Sequence, residues 1–374
     1  MKTLIPVENG NTLKALQGFL KRLLELGGVD ALMLPLRTPF GTVTPGVVTD
    51  PDWLGEADPL APVLPSNGAT LAGKLSAREP RAKVGVVLRA CELRALVELT
   101  KMQQASLNDL VLIAVDCAGT YSVPGYQRSA SVQNTVVSGQ LSAVSLYADA
   151  ASKPDAPDPN LRAACKICEQ PVFDGAQIAI ELLGVDPAQE IRVTIADELG
   201  AKLDLSETAV PSGRATVVEK LVAARTAARD AEFAAIRARL EGPEGVPGVF
   251  AACIRCHNCM EVCPICYCKQ CVFKSAIFDH EPMQFIGWAK QKGAYRLPSD
   301  TMLFHLTRMN HMALSCVGCG MCTEACPAEL PVGLVFRAVN QRLDATFEYV
   351  PGRSVDEPLP LVTFKADEWS DVGE

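Results

Sequence analysis

Two runs of four cysteines near the carboxyl end of the chain carry its clearest chemistry. Each run has the spacing C-x2-C-x2-C-x3-C and is followed directly by proline. This spacing binds cubane iron–sulfur clusters, and in two-cluster proteins the fourth cysteine of each run ligates the other cluster. The ligands expected for a first [4Fe–4S] cluster are Cys253, Cys256, Cys259 and Cys326. The ligands expected for a second [4Fe–4S] cluster are Cys316, Cys319, Cys322 and Cys263.

Structural zinc is the alternative for these runs. A zinc site usually takes two separated C-x2-C pairs, whereas each run here is a triplet with a fourth cysteine. Pro264 and Pro327 end the two loops, because proline has no N–H to continue local hydrogen bonding. His257 lies inside the first run and His311 precedes the second. We expect both histidines to pack or to tune a cluster rather than to bind metal.

Seven of the 15 cysteines lie outside the two runs. Three follow the first run at once, and we call them the trio: Cys266, Cys268 and Cys271. Four are spread through the amino-terminal part: Cys91, Cys117, Cys165 and Cys168. In one allocation these four bind a third [4Fe–4S] cluster, and the trio is structural or binds another metal. In the other, the trio and one amino-terminal cysteine bind a cluster. Seven cysteines cannot supply two further all-cysteine clusters, because each cubane needs four ligands.

A strand–helix–strand unit is predicted in the amino-terminal part. Residues 84–88 and 110–115 are short apolar, β-branched runs, which are typical of buried strands. A helix is predicted between them, over 91–101. A unit of this length has parallel strands, and ligands bind at the carboxyl ends of such strands.

Four polar or thiol side chains fall at that carboxyl edge: Arg89, Cys91, Asp116 and Cys117. Cys91 lies at the predicted helix start, where the helix dipole favours a thiolate. Free cysteine is often buried, so Cys91 and Cys117 could each also be a buried free thiol.

The remaining patterns give an α/β amino-terminal domain followed by a mainly helical domain that holds the two runs. Helices are predicted at 11–27, 67–78, 176–183, 215–240, 300–312 and 331–347, and further strands at 29–34 and 191–195. Residues 35–66 are rich in proline, glycine and threonine and are predicted to be irregular. The glycine- and proline-rich segment 242–248 predicts a boundary. The expected domains are 1–248, 249–347 and an acidic tail, 348–374.

Composition narrows the possible functions. The net charge of -8 argues against a general nucleic-acid surface, which would be basic. No apolar run approaches 18 residues, so no membrane span is expected. We see no basic start followed by an apolar stretch, and hence expect no secretory signal. Many cysteines in an unexported chain indicate metal or redox chemistry, which suits a reducing cytoplasm.

Several of these segments resemble the family of the beta subunit of coenzyme F-420-dependent hydrogenases and dehydrogenases. They are the stretch from Arg89 to Leu96, the stretch from Val115 to Tyr121, and the pair Cys165-x2-Cys168. The first run, extended as Cys-Pro-Ile-Cys-Tyr-Cys, looks most like the formate dehydrogenase beta subunits of that family. The resemblance covers about residues 80–345.

The resemblance implies a flavin-type domain with FAD, a soluble hydride carrier, and a catalytic partner subunit of formate dehydrogenase or hydrogenase type. It implies a flavin edge near Arg89, Cys91 and Asp116. Family members often have proline where this chain has Ala90, in the loop before Cys91. No G-x-G-x-x-G fingerprint is present, so a nicotinamide site is not indicated by motif.

Two functions follow from these patterns. In the first, the chain is an iron–sulfur flavoprotein subunit that converts between the two-electron chemistry of a hydride carrier and the one-electron chemistry of clusters. In the second, it is a relay adaptor without its own flavin, docked between subunits of a formate dehydrogenase or heterodisulfide-reductase-like complex. The sequence names no catalytic residue for either.

Overall fold

The computed structural model describes residues 1–77, 82–132, 138–210, 212–293 and 300–363. The chain divides into two compact units. The first combines residues 1–230 with 317–319 and 350–374, and the second combines 231–316 with 320–349. The part of the predicted acidic tail beyond residue 363 lies outside the described residues. The domain limits drawn from the sequence stay a prediction.

A mixed sheet of seven strands forms the core of the first unit, in the order β1-β7-β6-β5-β4-β2-β3. Its strands are β1 Lys2–Pro6, β2 Ala31–Arg37, β3 Val43–Val48, β4 Val84–Arg89, β5 Leu110–Val115, β6 Ile178–Glu181 and β7 Glu190–Ile195. Strands β2, β4, β5 and β6 run parallel to one another. Strands β1, β3 and β7 add antiparallel pairs at the two sides.

Helices cover the sheet and build most of the second unit. The α-helices are α1 Thr12–Glu25, α2 Ala69–Ser76, α3 Ala90–Lys101, α4 Val123–Val132, α5 Ser138–Ser152, α6 Ala163–Lys166, α7 Asp197–Lys202, α8 Arg214–Leu240, α9 Gly245–Val249, α10 Asn258–Glu261, α11 Pro282–Lys292, α12 Thr301–Met312, α13 Met321–Glu324 and α14 Val332–Phe347. Short 3-10 helices are Glu8–Gly10, Pro51–Glu56, Val272–Lys274, Ala276–Phe278, Ala313–Ser315 and Pro360–Val362. No described helix has the length and apolar character needed to cross a lipid bilayer.

The predicted strand–helix–strand unit is confirmed as β4–α3–β5. Strand β4 pairs in parallel with β5 from Val84 opposite Leu110 to Arg89 opposite Val115. All twelve residues of the two strands are buried, which explains their continuous apolar sequence. The carboxyl ends of both strands therefore lie at one edge of the sheet. The predicted helix over 11–27 is also confirmed as α1, and the side chain of Asn11 caps it by accepting from the Lys14 N–H at 2.9 Å.

Two predictions of secondary structure are wrong. The helix predicted over 176–183 is strand β6, which lies between β5 and β7. Four residues are too few to show whether an apolar run repeats with helical or strand period. The stretch 35–66, predicted to be irregular, contains most of the β2–β3 hairpin. Strand β3 is an edge strand, where Pro45 is tolerated because one side of the strand is unpaired.

Candidate metal centres

The four amino-terminal cysteines line one pocket in the first unit, with an empty volume of about 400 Å³. Cys91 enters from the first turn of α3, directly after β4, and Cys117 follows β5 by two residues. Cys165 lies on the short helix α6, and Cys168 follows it. The pocket therefore lies at the carboxyl edge of the parallel strands, where the sequence predicts a ligand site.

The loops that carry these cysteines are held by buried polar contacts. Glu92 accepts from the backbone N–H of Arg89 at 3.0 Å and from that of Gly68 at 2.8 Å, which ties the start of α3 to the start of α2. The Cys117 N–H donates to the Pro171 carbonyl at 2.9 Å. The position of Cys91 is thus set by the hydrogen bonds of the Glu92 carboxylate, and that of Cys117 by its own backbone hydrogen bond.

Three buried arginines also line this pocket: Arg89, Arg162 and Arg225. Arg162 donates to the Cys165 sulfur at 3.5 Å and to the Thr120 hydroxyl at 2.8 Å. Thr120 Oγ1 lies 3.3 Å from the same sulfur. Four thiolates make an assembled cubane anionic, so three guanidinium groups around four cysteines suit such a cluster in both charge and hydrogen bonding.

Burial and charge act differently on the individual thiols. Burial raises the pKa of Cys91 well above its ordinary value and raises that of Cys117 to about 11. The expected lowering of the Cys91 pKa at a helix start is therefore outweighed by burial and by the neighbouring Glu92. Burial also works to raise the pKa of Cys165, but Arg162 and Thr120 together bring it below the ordinary value.

Cys319 of the second run lines the same pocket, next to Gly318. Residues 317–319 are part of the first unit, and Arg94 of α3 donates to the Val317 carbonyl at 3.3 Å. Arg94 also donates to the Pro351 carbonyl at 2.8 Å. One buried arginine thus holds the segment of Cys319 beside α3, whose first turn carries Cys91.

The Asp116 side chain does not line the cysteine pocket but makes hydrogen bonds next to it in the chain's core. One of its oxygens accepts from the backbone N–H groups of Leu182 and Leu183, each at 2.9 Å. The other accepts from Arg214 at 2.8 Å, within an ion pair in which Asp116 is buried and Arg214 is partly buried. These contacts occupy both carboxylate oxygens. Of the three residues expected at a flavin edge, Arg89 and Cys91 line the cysteine pocket and Asp116 joins β5 to the segment after β6.

A second pocket, in the second unit, has an empty volume of about 320 Å³. All four ligands expected for the first cluster line it: Cys253, Cys256, Cys259 and Cys326. Two side chains of α12 reach these sulfurs. His305 Nε2 lies 3.2 Å from the Cys253 sulfur, and Arg308 donates to the Cys259 sulfur at 3.1 Å.

The two cysteine runs share an unusual backbone. Arg255 and His257, between the cysteines of the first run, have φ angles of 57° and 60°. Gly318 and Gly320 occupy the same motif positions in the second run, with φ angles of 72° and 71°. Glycine adopts this left-handed conformation freely, whereas Arg255 and His257 need compensating contacts. Arg255 pairs with Asp300, and the His257 ring stacks on Phe304 at 4.6 Å.

The cysteines of the second expected ligand set and of the trio lie mostly in the second unit. Cys263, Cys316 and Cys322 of the second expected ligand set lie in the second unit, while Cys319 is grouped with the first. The trio lies in the second unit, after the first run. Cys268 is exposed, and Cys271 lies 3.7 Å from the Met260 sulfur. Burial raises the pKa of Cys266 to about 11.

Within the described ranges, no group of three or more His, Cys, Asp or Glu side chains is placed to hold a single metal ion. A cubane is held differently, because each of its four thiolates binds a different iron atom.

His257 lines the second pocket, as expected for a histidine that packs near a cluster. His311 is exposed at the end of α12, so it does not pack in the core, and its expected effect on a cluster stays a prediction. His305 and Arg308 were not singled out from the sequence.

Comparison with known proteins identifies the dicluster part of the chain and relatives along most of its length. Residues 249–330 match the 4Fe–4S dicluster domain family. The chain is 24% identical over 344 residues to the F420-dependent formate dehydrogenase subunit beta of Methanocaldococcus jannaschii, covering 84% of each chain. It is 26% identical over 396 aligned positions to the F420-dependent formate dehydrogenase 1 subunit beta of Methanococcus maripaludis, covering 95% of this chain and 94% of that one.

The predicted resemblance is confirmed. This chain is an iron–sulfur electron-transfer protein related to formate dehydrogenase beta subunits. A solved chain of the F420-reducing [NiFe] hydrogenase complex from Methanosarcina barkeri also matches, at 12% identity and a TM-score of 0.42, over 63% of this chain and 92% of that one.

Proposed function

We propose that this chain is the electron-transfer subunit of an oxidoreductase complex of formate dehydrogenase type, with three [4Fe–4S] clusters. The amino-terminal cluster takes Cys91, Cys117, Cys165 and Cys168, and the two ferredoxin-type clusters take the ligand sets predicted from the two runs. The observation that carries this proposal is the single pocket in which the four amino-terminal cysteines meet three buried arginines. The trio then binds no cluster.

The clusters, when bound, would supply one-electron storage, and FAD would supply exchange between one- and two-electron carriers. The chain's own residues bind the clusters, neutralise their charge and exclude water. Cys319 lies in the wall of the amino-terminal pocket, so the cluster there would lie beside a ligand of the second ferredoxin-type cluster.

We further propose that the chain draws electrons from a soluble hydride carrier and passes them to a catalytic partner subunit. The names of the relatives support a deazaflavin of the F420 type as that carrier and a formate-converting subunit as that partner. FAD at the sheet edge is supported by the family resemblance. Location in the cytoplasm remains a prediction from cysteine usage.

One observation favours the relay adaptor as a second candidate. Arg89 and Cys91 face the cysteine pocket and Asp116 is occupied by Arg214, so the three residues predicted for flavin have other partners. In this function the chain passes electrons between other subunits and has no substrate of its own.

Turnover separates the two functions. Anaerobically purified protein is mixed with a reduced deazaflavin or nicotinamide and with oxidised viologen. Each carrier that is oxidised releases two electrons, together with one proton from a reduced nicotinamide or two protons from a reduced deazaflavin, and two viologen molecules take one electron each. Viologen reduction together with about one FAD per chain supports the converter. Iron-loaded protein without FAD and without viologen reduction contradicts the converter and supports the relay adaptor.

A further inference from the structure

Arg308 is a buried cation in the dicluster part of the chain. It lies on α12, 3% of its surface is exposed, and its two terminal nitrogens both reach Cys259. Nη1 donates to the Cys259 sulfur at 3.1 Å, and Nη2 donates to the Cys259 carbonyl at 3.0 Å. A guanidinium stays protonated in proteins, so this contact places a full positive charge at a ligand of the first expected cluster.

Aromatic packing fixes the guanidinium in this position. Its carbon lies 5.6 Å from the ring centre of Phe304 and 5.2 Å from that of Phe336. Both rings are buried, and each attracts the cation through its electron-rich face. The arginine therefore cannot turn away to solvent, and its charge remains at the cysteines.

The surroundings favour the charged form of this arginine. Burial works to lower the pKa of Arg308, but nearby thiols, that of Cys259 first, raise it above its ordinary value. Both hydrogen bonds described above go to Cys259, which belongs to the ligand set of the first expected cluster.

We propose that Arg308 is a positioning residue of the first expected cluster, which raises the reduction potential of that cluster through its charge and its hydrogen bond to Cys259. Reduction adds one negative charge to a cluster, and a fixed cation in a poorly solvated site stabilises that charge. The hydrogen bond to the Cys259 sulfur adds to the effect at the first cluster. The inference rests on the cluster ligand sets of the proposed function.

The test is a redox titration followed by electron paramagnetic resonance on anaerobically purified full-length protein. Arg308→Met removes the charge, and Arg308→Lys keeps the charge but loses the forked contact with Cys259. Arg237→Met is the control, because Arg237 is a cation of the same unit whose hydrogen bonds go to the Ala338 carbonyl and to Gln341. His305→Phe identifies the signal of the first cluster, since His305 contacts Cys253.

Arg308→Met is expected to lower the reduction equilibrium constant of the first cluster by about tenfold or more, which is about 59 mV for a one-electron couple. The second cluster is expected to shift by less. Arg308→Lys is expected to shift the first cluster alone. If Arg308→Met does not retain iron, the reduction potential of the first cluster in Arg308→Lys tests the proposal instead.

Unchanged potentials in iron-loaded variants would overturn the role of Arg308. A shift in the second cluster that exceeds the shift in the first would overturn it as well. Absence of iron in the wild-type protein would instead overturn the proposed function, so the two failures are distinguishable.

Discussion

His305 Nε2 lies 3.2 Å from the sulfur of Cys253, and the imidazole stacks on Phe250 with 3.9 Å between ring centres. Burial lowers the pKa of His305 to about 4, so the ring is neutral near pH 7. Its Nδ1 is buried and has no hydrogen-bond partner among the described residues. A thiolate only accepts, which assigns the proton to Nε2 and makes His305 a neutral donor to an expected cluster ligand.

Replacing His305 by phenylalanine should lower the reduction potential of the first cluster. Phenylalanine keeps the stacking on Phe250 but removes a hydrogen bond that stabilises the reduced cluster. The measurement is the same redox titration, with His311→Phe as control, because His311 lies on α12 but is exposed. An equal shift in both variants would show that the contact between His305 and Cys253 does not tune the cluster.

Removing two ligands of the amino-terminal cluster should remove one cluster. The double variant Cys165→Ser/Cys168→Ser is expected to bind about eight irons per chain, against about twelve in the wild type, since each cubane holds four. The control is Cys268→Ser, which should keep about twelve. If the control loses about four irons and the double variant loses no iron, the third cluster is bound by the trio and not by the amino-terminal cysteines.

The trio should react with alkylating reagents while the clusters are intact. Cys268 is exposed and should be labelled first in anaerobic, iron-loaded protein. Cys266 should be labelled more slowly at neutral pH, because burial raises its pKa to about 11 and the thiolate is the nucleophile. Its rate should increase as the pH rises towards that value. Mass spectrometry of the labelled peptide, compared with that from Cys268→Ser, gives both rates; protection of all three thiols would mean that they bind metal.

Asp116→Asn should destabilise the first unit by about 2–3 kcal/mol. The substitution leaves the partly buried Arg214 without its main partner, although Glu181 still accepts from it at 3.2 Å, so the cost falls below that of breaking a fully buried pair. The measurement is the midpoint of anaerobic urea unfolding. Asp149→Asn is the control, because its pair with Lys153 is exposed and should contribute about 0.5 kcal/mol or less.

The same Asp116 variant also tests the flavin edge. If the Asp116 carboxylate acts only on Arg214 and on the backbone after β6, the folded variant keeps the FAD content of the wild type. Loss of FAD from folded variant protein would contradict the structural role and restore Asp116 to the flavin site.

The sequence predicts the β4–α3–β5 unit well because both of its strands are continuous apolar runs. It also predicts that Cys91 and Cys117 lie near each other, because each comes just after one of two parallel strands whose carboxyl ends share a sheet edge. Strand β6 escapes prediction because its four residues show no period, and β3 because its threonine, proline and glycine are typical of loops. Strand β6 depends on pairing with β5, which is distant in the chain, whereas β3 pairs with the preceding strand β2 as a hairpin.

The residues that reach the cysteines of the first run are harder to find from sequence. His305 and Arg308 lie 52 and 49 residues after the cysteines that they contact, so no local spacing links them. One signal was available: the two residues are three apart on a predicted helix and must therefore share a face. Which face packs against the cysteine run depends on tertiary packing, in particular on Phe250 and Phe336.

Counting iron, sulfide and cluster spins in the anaerobically purified wild-type chain tests the central claim most directly. The account predicts about twelve irons and about twelve sulfides per chain, in three cubanes that are each reduced by one electron. About eight irons would contradict the amino-terminal cluster in the pocket of Cys91, Cys117, Cys165 and Cys168. Zinc in place of iron would contradict the function as a whole.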